Sequence, residues 1–370
     1  MLYKRIVAKF GTNLLTGGTE QLDRKVMSSL VQQVAQLHSE GHEIIIVSSG
    51  AVAAGRQKLG LRKKQRDIPF KQVLASVGQS HLMHTYEQML SRYGITIAQA
   101  LLTKSDLGRR AGYLNARNTL LALIELGVIC IINENDVVAT DEIGGTRFGD
   151  NDNLSAMVAT LIDADLLVLL TDIDGLYTED PRDNPKAKLI SRVEKIDGRI
   201  QRLASNTAGV RGIGGMSTKI EAAKLATTCG ITVVISNGFK PDNLRRIALG
   251  NNTGTIFIPI PTKIKSKKRW MLSGLASKGK LIIDRGAVLA IKKLNKSLLP
   301  AGIIDLEGKF QRGDVIDIVD AKGNCLGCGI SNYNSAEVTA IKGAHSRAVS
   351  TILGYEYGSE IVHRNNMILI

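Results

Sequence analysis

The sequence predicts an α/β protein: an open, mostly parallel sheet sandwiched by helices, with a small β-rich domain appended at the C-terminal end. Three observations carry this. Up to about residue 258, short apolar runs alternate with amphipathic stretches, the pattern of βαβ units. Beyond a proline-containing basic stretch, the alternation gives way to short β-like runs separated by glycine-containing turns. The chain, at 370 residues, also exceeds the size at which one hydrophobic core stops growing, so two domains are expected.

Taken in order, the runs that read as buried strands are Arg5 to Phe10, Glu43 to Val47, Ile95 to Leu101, Val128 to Ile132, Leu166 to Leu170 and Ile231 to Ile235. Between the first two, Leu22, Val26, Leu30, Val34 and Leu37 recur at helical spacing, which predicts a helix over 22–40 closed by Gly41. A second helix is expected from Asn115 to Leu126, ended by Gly127, and another opens at Leu154. Pro259, Pro261 and the run Thr262-Lys-Ile-Lys-Ser-Lys-Lys-Arg269 break the pattern and read as a solvated connector. The runs Leu281 to Ile283, Ala287 to Ile291, Val315 to Val319 and Val338 to Ile341 then read as short strands. The expected division is a first domain over 1–260, a basic linker over 261–277, a β-rich domain over 278–358 and a tail over 359–370.

Composition narrows the function classes. Apolar residues are 44% and charged residues 22% of the chain, as in globular proteins, and no run approaches the roughly 20 apolar residues of a membrane span. The opening MLYKRIVAKFG enters a strand without a secretory h-region, so a cytoplasmic protein without a membrane partner is expected. Cys130, Cys229, Cys325 and Cys328 are too few and scattered for a disulfide framework. Cys325 and Cys328 have a zinc-like spacing but lack the second pair that four ligands need, so no metal site is assigned. The net charge of +14 is concentrated late: residues 263–370 hold 17 basic and 9 acidic side chains. Such an excess attracts nucleic acid or anionic substrates, or reflects a lysine-rich genome bias.

In open α/β sheets ligands bind where loops leave the carboxyl ends of strands, and the chemistry-bearing residues gather there. Lys9, followed by Gly11, suits phosphate oxygens, or else snorkels to water. Ser48-Ser49-Gly50-Ala51 lets a helix N-terminus face an anion, or is a packing turn. Asn133-Glu134-Asn135-Asp136 and Gly149-Asp150-Asn151-Asp152-Asn153 offer more polar groups than capping needs and read as a pocket. Their oxygens would take an ammonium, their amides a carboxylate, and one aspartate would hold lysines in place. An EF-hand is excluded by the missing glycine and terminal glutamate. Thr171-Asp172-Ile173-Asp174-Gly175 lies where a nucleotide base or ribose would sit, or is a plain Asp-Gly turn. Gly212-Ile213-Gly214-Gly215-Met216-Ser217-Thr218-Lys219 is the most phosphate-like loop, and it fits neither a Walker A loop nor the protein-kinase signatures.

Together, Val7-Ala-Lys9-Phe-Gly-Thr12, Ile46-Val-Ser-Ser-Gly-Ala51, Ile132-Asn-Glu-Asn-Asp136, Phe148-Gly-Asp-Asn-Asp-Asn-Leu154, Leu170-Thr-Asp172 and Gly214-Gly-Met-Ser-Thr-Lys219 resemble the amino-acid kinase family, in family order. Gly286-Ala287, Ser297-Leu-Leu-Pro300-Ala-Gly302, Gly313-Asp314 and Gly354-Tyr355 resemble a PUA domain, a β module shared with RNA-modifying enzymes. The resemblance implies the branch of the family that phosphorylates the side-chain carboxylate of L-glutamate with ATP and Mg²⁺, the first step of proline biosynthesis. It further implies inhibition by proline, a homo-oligomer (dimer or tetramer) and coupling to glutamate-5-semialdehyde dehydrogenase, which would take the labile acyl phosphate. Carried over residue by residue, Lys9 and Lys219 would neutralise the transferring phosphoryl group, with Asp152 orienting them. Ser49, Asp136 and Asn151 would bind glutamate, with Asn133 and Asp150 nearby. Lys9, Thr171, Asp172 and the run Ile213, Gly214, Gly215, Met216, Ser217, Thr218 and Lys219 would hold ATP. Ile213 stands where the family often has threonine, and the loop Glu142 to Arg147 is of uncertain length.

A glutamate carboxylate is already ionised at neutral pH, so no general base is required, in keeping with the absence of a His-centred dyad among these motifs. Two alternatives stay open: a same-fold kinase acting on aspartate, N-acetylglutamate, carbamate or a nucleoside monophosphate, and RNA binding through the basic tail. The low aromatic content, 4%, weighs against base stacking.

Overall fold

The computed structural model describes residues 1–61, 68–139, 151–181, 183–206, 215–251, 253–259 and 277–369. The chain divides into two compact units, Met1–Leu107 with Ala116–Pro261 and Gly108–Asn115 with Thr262–Ile370. Through residue 257 the elements run β1 (Arg5–Phe10), α1 (Thr12–Leu15), α2 (Arg24–Ser39), β2 (Glu43–Ser48), α3 (Ala51–Lys58), α4 (Ile68–Leu90), β3 (Ile97–Leu102), α5 (Lys104–Gly108), α6 (Arg110–Glu125) and β4 (Ile129–Glu134). They continue with α7 (Asn151–Leu161), β5 (Leu166–Thr171), β6 (Arg192–Val193), α8 (Gly198–Asn206), α9 (Met216–Thr228), β7 (Thr232–Asn237), α10 (Asn243–Ala248) and β8 (Thr255–Phe257).

The eight strands form one sheet in the order β3-β4-β2-β1-β5-β7-β8-β6. It is mostly parallel, as the βαβ pattern predicts; β7 and β8 run antiparallel. Every residue of β5 is buried, and so are Ile6 to Phe10 of β1. Two-sided burial explains why these runs read as continuous apolar stretches rather than alternating ones. Each such Leu, Ile or Val contributes about 1.5–3 kcal/mol of transfer free energy. Chain order reverses at β1, which pairs with β2 on one side and β5 on the other. That switch point is where an open α/β sheet leaves a crevice.

Local chemistry sets the helix ends. The second helix starts at Arg24, two residues later than its apolar spacing suggests, because the Asp23 side chain accepts from the backbone N–H groups of Lys25 and Val26. The turn from β2 into α3 runs through Gly50 at φ 98°, a left-handed conformation that β-carbon-bearing residues resist. Helix α3 then crosses α4 backbone on backbone. A β-carbon on Gly55 would lie 1.9 Å from the Leu74 carbonyl oxygen, and one on Gly78 would lie 1.8 Å from that of Ala51. This contact holds the start of α3 in place.

The second unit contains a five-stranded sheet in the order β10-β9-β11-β12-β13, formed by β9 (Gly279–Ile283), β10 (Ile303–Gly308), β11 (Val315–Asp320), β12 (Cys325–Ile330) and β13 (Met367–Leu369). Its helices are α11 (Arg285–Lys292), α12 (Ser335–Ile341) and α13 (Val349–Leu353). Two sequence expectations are corrected here. The runs Ala287 to Ile291 and Val338 to Ile341 are helical, not β, because each follows a cap. The Asp284 side chain accepts from Ala287 N–H, and Asn334 and Glu337 form a reciprocal capping box. Residues 359–370, expected as a tail, supply Ile361, Val362 and Met367 to this unit's core, and β13 pairs with β12. The linker expected over 261–277 lies outside the described residues except Ser277.

Candidate active site

Four neighbouring strands deliver four of the sequence-predicted residues to the same end of the sheet. Asn133 lies on β4, Ser49 directly after β2, Lys9 on β1, and Thr171 ends β5, in the spatial order β4-β2-β1-β5. They open on a cavity of about 360 Å³ whose wall also includes Asp136, Asn151, Asp152, Asp172 and Lys219. Helix α7 begins at Asn151, earlier than the apolar pattern suggests, so Asn151 and Asp152 occupy its first turn, where the helix dipole favours negative charge. Helix α3 begins at the same cavity, at Ala51 behind Gly50, and α9, which begins at Met216, reaches it through Lys219.

At the centre, Asp152 is 1% exposed. Its Oδ1 lies 2.6 Å from Lys9 Nζ and its Oδ2 3.2 Å from Lys219 Nζ, while the Thr218 hydroxyl donates to Oδ2 at 2.7 Å. Burial alone would raise the pKa of this carboxyl. The ammonium groups of Lys9 and Lys219 outweigh that effect, with hydrogen bonds from Lys9 and Thr218, and hold it well below the usual carboxylate range. Both lysines are themselves buried. Lys219 sits in the first turn of α9, where the helix dipole opposes a cation, so the Asp152 charge offsets both burial and dipole.

Beside this cluster the amides form a second network. Asn151 Nδ2 donates to Ser49 Oγ at 3.0 Å and to Asn133 Oδ1 at 3.0 Å, and Asn133 Nδ2 donates to Gln79 Oε1 at 2.9 Å. Asn151 Oδ1 is buried and has no hydrogen-bond partner among the described residues. Ser48, next to Ser49, has its hydroxyl 2.8 Å from that of the fully buried Tyr86. Asp136 lines the same cavity, and its partial burial pushes its carboxyl up to about 6. On the other flank, the Thr171 hydroxyl donates to Asp172 Oδ1 at 2.9 Å and Asn13 Nδ2 donates to Asp172 Oδ2 at 3.2 Å.

Of the predicted residues, Lys9, Ser49, Asn133, Asp136, Asn151, Asp152, Thr171, Asp172 and Lys219 share one cavity wall. Gly215, Met216, Ser217 and Thr218 lie immediately before Lys219 at the start of α9 but are not on that wall, Thr218 touching Asp152 from behind it. Asp150, Ile213 and Gly214, together with the loop 142–147, lie outside the described residues. Sequence reasoning missed Arg56 and Lys71, which line the cavity, and Gln79 and Tyr86, which support it. All four lie on α3 or α4 among ordinary helical residues, where nothing in the spacing marks them.

Residues 4–237 match the amino acid kinase family and residues 279–353 the PUA domain. The chain is 55% identical over 368 residues to glutamate 5-kinase of Dehalococcoides mccartyi (strain CBDB1), covering 100% of this chain and 99% of that one. It is 48% identical to glutamate 5-kinase of Herpetosiphon aurantiacus, covering 99% and 98%, and 46% identical to that of Shewanella pealeana, covering 100% and 98%. Among solved structures, a UMP kinase from Bacillus anthracis aligns at 17% identity with a TM-score of 0.48, over 70% of this chain and 96% of that one. The chain thus belongs to the amino acid kinase family, in its glutamate 5-kinase group with a C-terminal PUA domain.

Proposed function

We propose that the chain transfers the γ-phosphoryl group of ATP to the side-chain carboxylate of L-glutamate, the first step of proline biosynthesis. The observation that carries this reading is the pair of ammonium groups, Lys9 and Lys219, held by one carboxylate on the wall of one cavity. A glutamate carboxylate oxygen attacks the γ-phosphorus, and the bond from that phosphorus to the ADP oxygen breaks. L-glutamyl 5-phosphate and ADP are formed, and no proton moves. The chemical task is therefore to bring two anions into line and offset their repulsion. Lys9 and Lys219 neutralise charge on the transferring group, and Asp152 fixes both amines before substrate arrives, so no reorganisation is needed at the moment of transfer. The N-terminus of α3, whose first residues line the cavity, adds a helix dipole that favours an anion there.

Thr171 and Asp172 serve the nucleotide side, with Gly215 to Lys219 and Lys9 at the phosphates. Ser49, Asn151 and Asp136 serve the glutamate side, with Asn133 behind them. Among the described residues no group of three or more His, Cys, Asp or Glu side chains could hold a metal ion. Mg²⁺ would arrive on the phosphate oxygens of ATP, whose charge it shares with the lysines. Proline would inhibit at or beside the glutamate side. A dimer or tetramer, a cytoplasmic location and transfer of the labile product to glutamate-5-semialdehyde dehydrogenase complete the reading; no helix among the described residues is long and apolar enough to cross a membrane.

RNA binding by the second unit has weaker support. Tyr355 and Tyr357 are exposed, and Arg312 lies 3.8 Å over the Tyr357 ring. Yet the Tyr355 hydroxyl donates to Glu337, and the Tyr357 ring packs against those of Tyr355 and Tyr333, so these rings are engaged within their own unit.

The test is ADP release by the purified protein with ATP, Mg²⁺ and glutamate, with hydroxylamine trapping the acyl phosphate, with and without proline. Glutamate-dependent release that proline suppresses is expected. Equal or faster release with aspartate, N-acetylglutamate, carbamate or UMP would overturn the proposal.

A further inference from the structure

The amide network behind the glutamate side has a direction, and a backbone group sets it. Glu134 N–H lies 2.9 Å from the Asn133 side chain. A backbone N–H can only donate, so the atom facing it is Asn133 Oδ1. Asn133 Nδ2 must then point the other way, toward Gln79, where Oε1 accepts at 2.9 Å. Because Asn133 presents oxygen toward Asn151, Asn151 must present Nδ2 to it, at 3.0 Å. The second hydrogen of that Nδ2 goes to Ser49 Oγ, also at 3.0 Å. Both donors of Asn151 are thereby spent. What it has left is Oδ1, buried on the cavity wall with no partner among the described residues, and Ser49 is left with its O–H as a donor.

We propose that Gln79, which does not line the cavity, is a positioning residue that holds the amides of the substrate pocket in the orientation the Glu134 N–H dictates, by accepting from Asn133 Nδ2. With its acceptor in place, Asn151 offers an oxygen to the substrate ammonium and Ser49 offers a hydroxyl to a substrate carboxylate oxygen. The pocket then recognises an amino acid by matched donor and acceptor and disfavours a dicarboxylate of the same length that lacks the ammonium. Gln79 is suited to the part because α4 is locked against α3 at Gly55 and Gly78, one residue before it. Removing its oxygen leaves Asn133 Nδ2 without that partner and loosens the placement of Asn133, and through it of Asn151, although the Glu134 N–H still sets which way the amides face.

The inference rests on the glutamate kinase reading, so the wild-type protein is assayed first, with glutamate and with glutarate, which differs only in lacking the ammonium. Gln79→Glu keeps an acceptor toward Asn133 and removes only Nε2, which has no partner among the described residues. Gln79→Met keeps the length and removes the acceptor, and Gln79→Ala is a second acceptor-free variant should Gln79→Met not fold. In the acceptor-free variant, KM for glutamate is expected to rise about tenfold, and the preference for glutamate over glutarate to fall by a similar factor. KM for ATP and kcat stay within about threefold, and Gln79→Glu stays within about threefold of wild type in every parameter. An unchanged KM for glutamate in the acceptor-free variant, a parallel rise in KM for ATP, or a Gln79→Glu as impaired as Gln79→Met would overturn the inference while leaving the kinase reading intact. A wild-type protein that turns over no glutamate would defeat both.

Discussion

Lys219 Nζ lies 3.2 Å from Oδ2 of Asp152, a residue 67 positions earlier in the chain, and the other oxygen of that carboxylate lies 2.6 Å from Lys9 Nζ. Two buried ammonium groups beside one cavity repel each other, and the shared carboxylate is what lets them stay. Asp152→Asn keeps the shape and removes the charge. Turnover should fall by a factor of about 100 or more, because the lysines lose their fixed positions. Unfolding by urea should show a loss of about 3 kcal/mol, the usual cost of breaking a buried ion pair from one side. Unchanged turnover would mean that the cluster is structural only.

The two aspartates of the cavity respond to pH with opposite signs. Asp152 is held below its ordinary value, so its contribution to stability is complete above about pH 4 and is lost only as acid takes the pH down through its depressed folded-state value. Asp136 is raised from 3.8 to about 6, so the folded state binds the proton more tightly than the unfolded state, and stability falls as pH rises between those values. Asp136→Asn should therefore stabilise the substrate-free protein above about pH 6 by on the order of 2 kcal/mol, with no gain below about pH 4. If Asp136 also meets the substrate ammonium, KM for glutamate should rise about tenfold per unit below pH 6, and that rise should vanish in Asp136→Asn. Denaturant midpoints and KM measured across pH 5 to 8 check both.

Much of the fold was legible because its causes are local and periodic. Buried parallel strands leave continuous apolar runs, and their ends carry the chemistry, so Lys9, Ser49, Asn133 and Thr171 could be picked out as strand-end residues. The second unit was read less well. Ala287 to Ile291 and Val338 to Ile341 are short apolar runs in which helix and strand cannot be told apart by period alone, and the deciding signals were the caps at Asp284 and Asn334. Gln79 and Tyr86 were not legible at all, since a supporting role depends on which strand end a helix lies over, and that is a property of the assembled layers.

The crossing of α3 and α4 leaves no room for a methyl group at Gly55 or Gly78. Gly78→Ala should cost about 2 kcal/mol or more of stability, since backbone atoms cannot move aside as a side chain would. Because α3 begins at the cavity, KM for glutamate should rise as well. A thermal melt matching wild type would show that the helices separate more easily than this packing allows.

In the second unit, Asn334→Ala removes the cap that turns residues 335–341 into a helix rather than a strand. A loss of about 1 kcal/mol is expected, seen as a lower denaturant midpoint, with kcat unchanged. No loss would show that packing alone holds this helix.

The cation of Lys219 is central to the proposed transfer, and single-turnover phosphoryl transfer in Lys219→Ala tests its part most directly. With the fold verified by circular dichroism and ATP and glutamate saturating, the rate should fall at least about a thousandfold, because a buried positive charge is missing from the transferring phosphoryl group. A folded Lys219→Ala protein that transfers phosphate at close to the wild-type rate would contradict the mechanism.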